Sequence, residues 1–285
     1  MADKADWTGD LGAEWAKRAD VMERMLDPFG TQSIGALGII AKSKVLDLGC
    51  GGGSSTFRLA RKVGVRGAVV GVDVSPDLIA LAAARRAAGK GSFSRAGFLL
   101  ADAAAEGVLP ESAFDALHSQ FGAMFFDQPT AAYVNIRKAL KPGARVSIVC
   151  WRGPKENSWA MAAMDAARPY LPPIEPPPKF APGPFAWSAP EETFKRYLRD
   201  AGFGDVRCRG IDRSIPLGLG LKGETPLDRA VKFCMKIGPL ASRMKGLGKP
   251  EKAEIKTAVR AALSGLEKNG RIMATGACWL VTAKA

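Results

Sequence analysis

Histidine and paired cysteine are almost missing from this 285-residue chain: His118 stands alone, and Cys50, Cys150, Cys208, Cys234 and Cys278 include no Cys-x-x-Cys pair. An odd number of distant cysteines gives neither a disulfide framework nor a zinc cluster, so no metal is expected and the thiols read as small buried side chains. No run of about 18 uncharged apolar residues occurs, which leaves no helix able to span a bilayer. Met1-Ala2-Asp3-Lys4-Ala5-Asp6 lacks the pattern of a secretory signal, and a soluble, cytoplasmic protein is expected. There is no internal repeat and no low-complexity tail. The length suits one domain with insertions: an N-terminal helical cap at 1–42 and a main domain at 43–285, interrupted by a proline-rich insertion at 151–190 and a basic helical insertion at 215–270.

Positive charge, by contrast, is plentiful. Lys and Arg number 41 against 28 Asp and Glu, a net +13, and 16 basic against 7 acidic residues from Phe203 onward place +9 of it in the last 83 residues. Such a patch suits nucleic acid, a peripheral contact with an anionic membrane or an acidic substrate; a solvated face that aids solubility is the alternative. Nucleic acid is disfavoured, because aromatic residues are not interleaved with the basic cluster and no Asn-Pro-Pro-Tyr follows the fourth strand.

The chain is organised around Val45-Leu46-Asp47-Leu48-Gly49-Cys50-Gly51-Gly52-Gly53, a short apolar strand running into a glycine loop where a Cβ would keep the backbone from a ligand. Ser54-Ser55-Thr56 is expected to cap the following helix, to about Val63. Gly67 to Val74 reads as a second buried strand, and Ser75-Pro76-Asp77 starts a helix through about Ala88. Asp73 falls at the end of that second strand, 20 residues after Gly53, where an acid can accept hydrogen bonds from both ribose hydroxyls. Further strands are expected near Gly97–Leu100, Phe114–Ser119, Val146–Trp151, Asp205–Ile211 and Ala277–Ala283, with helices between. The alternation predicts an α/β, Rossmann-like, seven-stranded, mostly parallel doubly wound sheet with helical cap insertions.

Spacings of three and four among Trp7, Trp15, Met22, Met25, Leu26 and Phe29, then Ile34, Leu37, Ile39 and Ile40, suggest two amphipathic helices broken at Asp27-Pro28-Phe29-Gly30. Nine prolines between 168 and 190 predict an extended loop, with Phe180, Phe185 and Trp187 available to cover a pocket, and Ser188-Ala189-Pro190-Glu191 has the spacing of a capping box opening a helix. Helices near 225–245 and 250–268 carry Leu227, Val231, Cys234, Met235, Ile237 and Leu240 among Arg229, Lys232, Lys236, Arg243 and Lys245, a composition that fits an anionic membrane surface or a cover for an acceptor site.

These residues resemble the class I S-adenosylmethionine-dependent methyltransferases, in particular the ubiquinone and menaquinone C-methyltransferase subgroup. The matching pieces are Val45 to Gly53, Gly71-Val72-Asp73-Val74-Ser75, Ala101-Asp102-Ala103, Phe121 to Phe126, Leu140-Lys141-Pro142-Gly143 and the closing Gly276 to Ala283. The resemblance implies an antiparallel last strand, S-adenosylmethionine as cofactor and S-adenosylhomocysteine as product. It implies that Gly49, Cys50, Gly51 and Gly53 cradle the methionine part, that Asp47 helps hold its ammonium, that Asp73 and Val74 meet the ribose and Asp102 and Ala103 the adenine, and that Ser119 and Gln120 close on the methionine end. The sixth position of the loop is Ser54, unlike the Gly-x-Gly-x-x-Gly that a pyrophosphate favours. Relatives often show Ser-Arg-Phe-Gly where this chain has Ser119-Gln120-Phe121-Gly122, so that arginine's role is absent.

His118, on the fourth strand, is the candidate base; a packed core histidine is the competing reading, and Tyr133, Tyr170, Asp127 and Glu156 are weaker candidates. Trp15, Phe121, Phe125, Trp151 and Trp187 are candidates for an apolar acceptor pocket, with Phe126 and Phe185 behind them. The expected function is methyl transfer to a small apolar, aromatic or lipid-like acceptor. An RNA methyltransferase and a non-catalytic regulator that binds S-adenosylmethionine stay open as alternatives, and the oligomeric state is not encoded.

Overall fold

A computed structural model describes residues 4–39, 41–89, 91, 93–173, 181–219 and 221–285. Three helices open the chain, α1 (Lys4–Thr8), α2 (Asp10–Lys17) and α3 (Ala19–Leu37), before the alternating part: β1 (Lys44–Leu48), α4 (Ser54–Val63), β2 (Ala68–Asp73), α5 (Pro76–Ala88), β3 (Ala96–Leu100), β4 (Phe114–Gln120), α6 (Pro129–Lys138) and β5 (Leu140–Trp151). Then follow α7 (Ser158–Ala167), α8 (Phe194–Asp200), β6 (Gly204–Pro216), α9 (Pro226–Cys234), α10 (Pro239–Arg243), α11 (Lys249–Ser264), β7 (Glu267–Lys268) and β8 (Arg271–Lys284).

The main sheet has the order β3-β2-β1-β4-β5-β8-β6. Strands β1 to β5 are parallel to one another, and β8 runs antiparallel to both β5 and β6. This is the expected seven-stranded doubly wound sheet, with β7 added as a short partner of β8. From β1 the chain steps outward through β2 and β3, then returns to the other side of β1 with β4. The carboxyl ends of β1 and β4 therefore flank the switch point, the place where open sheets of this kind leave a crevice.

The core explains where helix α3 ends. Val21, Met22, Met25, Leu26 and Phe29 pack in one buried cluster, and Ile34 and Leu37 in a second, with α4 and strands β1 to β4. The expected break at Asp27 to Gly30 does not occur: α3 runs through Pro28, and the helices part at Gly9 and Arg18 instead. A proline inside a helix costs about 3 kcal/mol, whereas burying Phe29, Ile34 and Leu37 on a continuous face contributes roughly 1.5–3 kcal/mol each.

Three other boundaries differ from expectation. Gly53, not a hydroxyl residue, stands at the N-cap of α4. The Ser188 box opens no helix; α8 starts at Phe194, with Thr193 Oγ1 donating to the Ala189 carbonyl at 2.5 Å. A capping box instead opens α9, where Thr225 and Asp228 exchange hydrogen bonds at 3.1 Å. Within the proline-rich stretch, Pro176, Pro177, Pro178 and Phe180 lie outside the described residues. From α9 to the end of α10 and just beyond, the apolar residues turn inward, with Val231, Cys234, Ile237 and Leu240 buried, so lysines such as Lys232, Lys236 and Lys245 are what this stretch exposes. No helix among the described residues is long and apolar enough to cross a membrane.

Candidate active site

The loop after β1 turns on glycines in the left-handed region: φ is +66° at Gly49, +53° at Gly51 and +86° at Gly53. Gly49 has a second reason to lack a side chain, since its Cβ would stand 2.6 Å from the Cα of Gly122, in the loop after β4. A Cβ on Gly51 would meet nothing within 4 Å, because that residue faces open space.

Asp73 pins this loop from the neighbouring strand end. Its Oδ2 accepts from the Gly51 N–H at 2.8 Å and its Oδ1 from the Ser75 N–H at 2.9 Å. Burial pushes the Asp73 carboxyl up from its ordinary value, against the pull of those N–H groups. A carboxylate has about four acceptor sites, so capacity remains for a ligand hydroxyl. Asp102, after β3, is half-buried and accepts from the Ala104 N–H at 2.9 Å.

These groups open into a cavity of about 1090 Å³. Gly49, Cys50, Gly51, Gly52, Asp73, Val74, Asp102 and Ala103 line one half of it, and Trp15, Phe121, Phe125, Trp151 and Trp159 the other, with Gln120 also in the wall. Phe121 is held at φ +60°, a conformation that strains a bulky residue by about 1–3 kcal/mol. Its ring stacks on Trp151 with centroids 4.4 Å apart, and Trp151 lies 4.8 Å from Trp159. Trp7 closes the other side, edge-on to Trp15 and Phe125 at 5.3 Å each. Arg85 of α5 clasps the arrangement, donating to the Gly52 carbonyl at 2.8 Å, Glu23 at 2.6 Å and Asp20 at 2.6 Å, so the glycine loop and α3 are tied together.

Five of the residues singled out in the sequence do not reach this cavity. Asp47 is fully buried beneath the loop; Ser55 and Thr56 donate to its Oδ2 at 2.7 and 2.6 Å, and its Oδ1 lies 2.8 Å from His118 Nδ1. Both partners of that last contact are wholly enclosed, so His118 is a core residue with no path to a ligand, and its Nε2 has no hydrogen-bond partner. Gly53 faces Phe57 and Phe98, where a Cβ would press at 3.0 and 2.9 Å. Ser119 Oγ donates to the Leu48 carbonyl at 2.8 Å under the loop. Trp187 is covered, with Phe194 5.0 Å away.

Of the weaker base candidates, Tyr133 is buried with its hydroxyl donating to the Ala123 carbonyl, while Tyr170 and Glu156 do not line the cavity. Asp127 does line it, and is exposed. Trp7, Gly52 and Trp159 join the wall without having been singled out for it. Trp159 carried a signal, standing eight positions after Trp151 at the mouth of the fifth strand.

The donor set fits a nucleoside without phosphates. Glu23, Asp73 and Asp102 would repel a pyrophosphate, while two strand-end carboxylates and loop carbonyls suit a diol, an exocyclic amine and an ammonium. Residues 40–168 match a family model described as "Methyltransferase domain". Residues 40–168 therefore carry a methyltransferase domain. The methyltransferase-domain chain is 28% identical over 120 residues to aklanonic acid methyltransferase DauC of Streptomyces sp. (strain C5), covering 42% of this chain and 53% of the relative. It is 25% identical over 226 residues to the ubiquinone/menaquinone biosynthesis C-methyltransferase UbiE of Erwinia tasmaniensis, covering 75% and 89%. The chain spans about half or less of the length of the first curated relatives it matches. Among solved structures, the [4+2]-cyclase SpnF shares the methyltransferase fold with a TM-score of 0.51 and 20% identity, covering 90% of this chain and 80% of that one. A cyclase on this fold means that the sheet alone does not fix the reaction.

Proposed function

We propose that the protein transfers a methyl group from S-adenosylmethionine to a small acceptor with an apolar or aromatic body, such as a quinone, phenol, lipid or polyketide. The observation that carries this reading is the continuity of one cavity from Gly49, Asp73 and Asp102 to Phe121, Trp151 and Trp159. Asp73 would take the ribose hydroxyls and Asp102 the adenine amino group. Asp47 is fully occupied by Ser55, Thr56 and His118, so the ammonium would fall to carbonyls of the loop, and Gln120 would meet the methionine end. Bound S-adenosylmethionine supplies a methyl group already activated on a sulfonium.

What the chain adds is placement and exclusion of water. Holding two reactants in line can lower a barrier by about 7–11 kcal/mol in favourable cases. The Phe121–Trp151–Trp159 stack offers flat apolar surface beside the loop, and Trp7 and Trp15 roof it. His118 takes no part in proton transfer in this reading, which leaves acceptors that need no strong base or, at the rim, Asp127. Contact with an anionic membrane would be electrostatic only, because the apolar residues of α9 and α10 lie in the core; sedimentation with anionic vesicles that disappears at high salt tests it.

The deciding experiment incubates the protein with S-adenosylmethionine and a panel of quinones, phenols, fatty acids and RNA, and measures S-adenosylhomocysteine by mass spectrometry. Release with an aromatic or lipid acceptor is expected. Release with RNA alone would move the function to nucleic acid, and tight binding without release from any acceptor would make the protein a regulator.

A further inference from the structure

The two halves of the cavity differ in charge as well as in shape. Glu23, Asp73 and Asp102 stand in the half under the glycine loop, and a single cation, Arg243 of α10, lines the whole cavity among the described residues. A lone guanidinium lining a largely apolar cavity, with one N–H on the Pro172 carbonyl, offers its other donors to an anion.

The stack sets out where that anion would sit. Phe121 leads to Trp151 and Trp151 to Trp159, away from the loop, and a Cβ on Gly238 would lie 3.4 Å from the Trp159 ring. Gly238 is the residue at which α10 begins, and Ile237, Pro239, Ser242 and Arg243 all line the cavity there. Arg243 Nη2 donates to the Pro172 carbonyl, which fixes the guanidinium at that far end. No carboxylate among the described residues pairs with it, although most other partly buried arginines here, Arg18, Arg58, Arg85 and Arg152, are paired.

Resting on the reading of the aromatic half as the acceptor chamber, we propose that Arg243 anchors a carboxylate or phosphate of the acceptor, so that the acceptor is an amphipathic anion with an aromatic body. The apolar stack holds the body and the guanidinium sets its direction. A planar fork of donors suits either oxyanion, and both are bound more strongly by arginine than by lysine when two bonds form in parallel.

Calorimetric titration of the protein saturated with S-adenosylhomocysteine tests this, with 1-naphthoate, 1-naphthyl phosphate and neutral 1-naphthol at pH 7 as probes. The wild type should bind at least one anion tenfold or more tighter than 1-naphthol, a difference of about 1.4 kcal/mol. The anion with the larger gain names the oxyanion class. Arg243→Gln should erase the preference and leave 1-naphthol unchanged, and Arg243→Lys should restore part of it. Equal binding of the three probes by the wild type, binding of neither anion, or an equal loss of all three in Arg243→Gln would overturn the proposal. So would a loss of S-adenosylhomocysteine affinity with methylthioadenosine affinity unchanged, which would put Arg243 on the methionine carboxylate. Failure of the wild type to bind S-adenosylhomocysteine at all would instead strike the methyltransferase reading.

Discussion

The glycine-loop half of the cavity is made of backbone and carboxylates held at strand ends, whereas the other half is made of rings delivered by a loop, a strand end and the helices α1, α2 and α7. In the first half every polar group is fixed by a neighbour: Asp73 by two backbone N–H groups, and Gly52 by Arg85. In the second, position depends on stacking, from Trp7 near the start of the chain to Trp159 after β5. In the proposed reading, the difference teaches how one fold could keep its nucleoside site constant while its acceptor changes: the first half belongs to the sheet, and the second to segments attached around it.

That contrast can be broken from below. Asp47→Ala removes the acceptor of two hydroxyls and the partner of His118, all buried. Loss of one member of such a network costs roughly 3–5 kcal/mol, and for a chain of this size should lower the melting temperature by about 5–8 °C. A change under 2 °C by calorimetry would show that the floor under the loop does not support it. Next comes Asp73→Ala, expected to weaken S-adenosylhomocysteine binding by a hundredfold or more while the aromatic half still binds a probe such as 1-naphthol; titration showing less than a threefold loss would end the assignment of the ribose to Asp73.

Acid sharpens the comparison further. The Asp73 carboxyl, raised by burial in the ligand-free protein, must be ionised to accept from two hydroxyls. Protonation is favoured as pH falls through that raised value, so affinity for S-adenosylhomocysteine should drop at a pH above the ordinary range for an aspartate, about 3.9. Flat affinity down to pH 4 would contradict this, and the drop should vanish in Asp73→Asn. The smallest effect expected is that of Trp151→Phe, which trims one stacked surface worth about 0.5–1.5 kcal/mol. It should raise the KM of an aromatic acceptor a few-fold and leave S-adenosylhomocysteine affinity alone; the reverse pattern would mean that the halves are not separable.

The sheet was legible because its strands are apolar runs of the right length at a steady spacing, and so was the position of Asp73 at the end of β2. Asp47 was not. A strand covered on both faces shows no alternation of polar and apolar residues, so nothing in Lys44 to Leu48 says which way the acid points. Ser54-Ser55-Thr56 reads as a cap until the left-handed turn at Gly53 is known, and that turn is what swings Ser55 and Thr56 back onto Asp47. Trp187 and Trp159 look alike as sequence, both aromatic and both beyond β5. Only the packing of α8 against α6, which encloses Trp187 beside Phe194 and Tyr133, separates them.

The close passage of Gly49 and Gly122 joins these halves at a single point. A Cβ on Gly122 would lie 2.7 Å from the Gly49 Cα, so the main chains of the two loops touch with nothing between them. Gly49 opens the nucleoside half, and Gly122 follows Phe121, the first ring of the stack. Any shift of one loop is handed to the other without a side chain to absorb it, as in two gears cut on one shaft. In the proposed reading, alignment of donor and acceptor is thereby a property of the joint itself, and variation in the outlying helices would retune what is bound without disturbing the angle at which the two reactants meet.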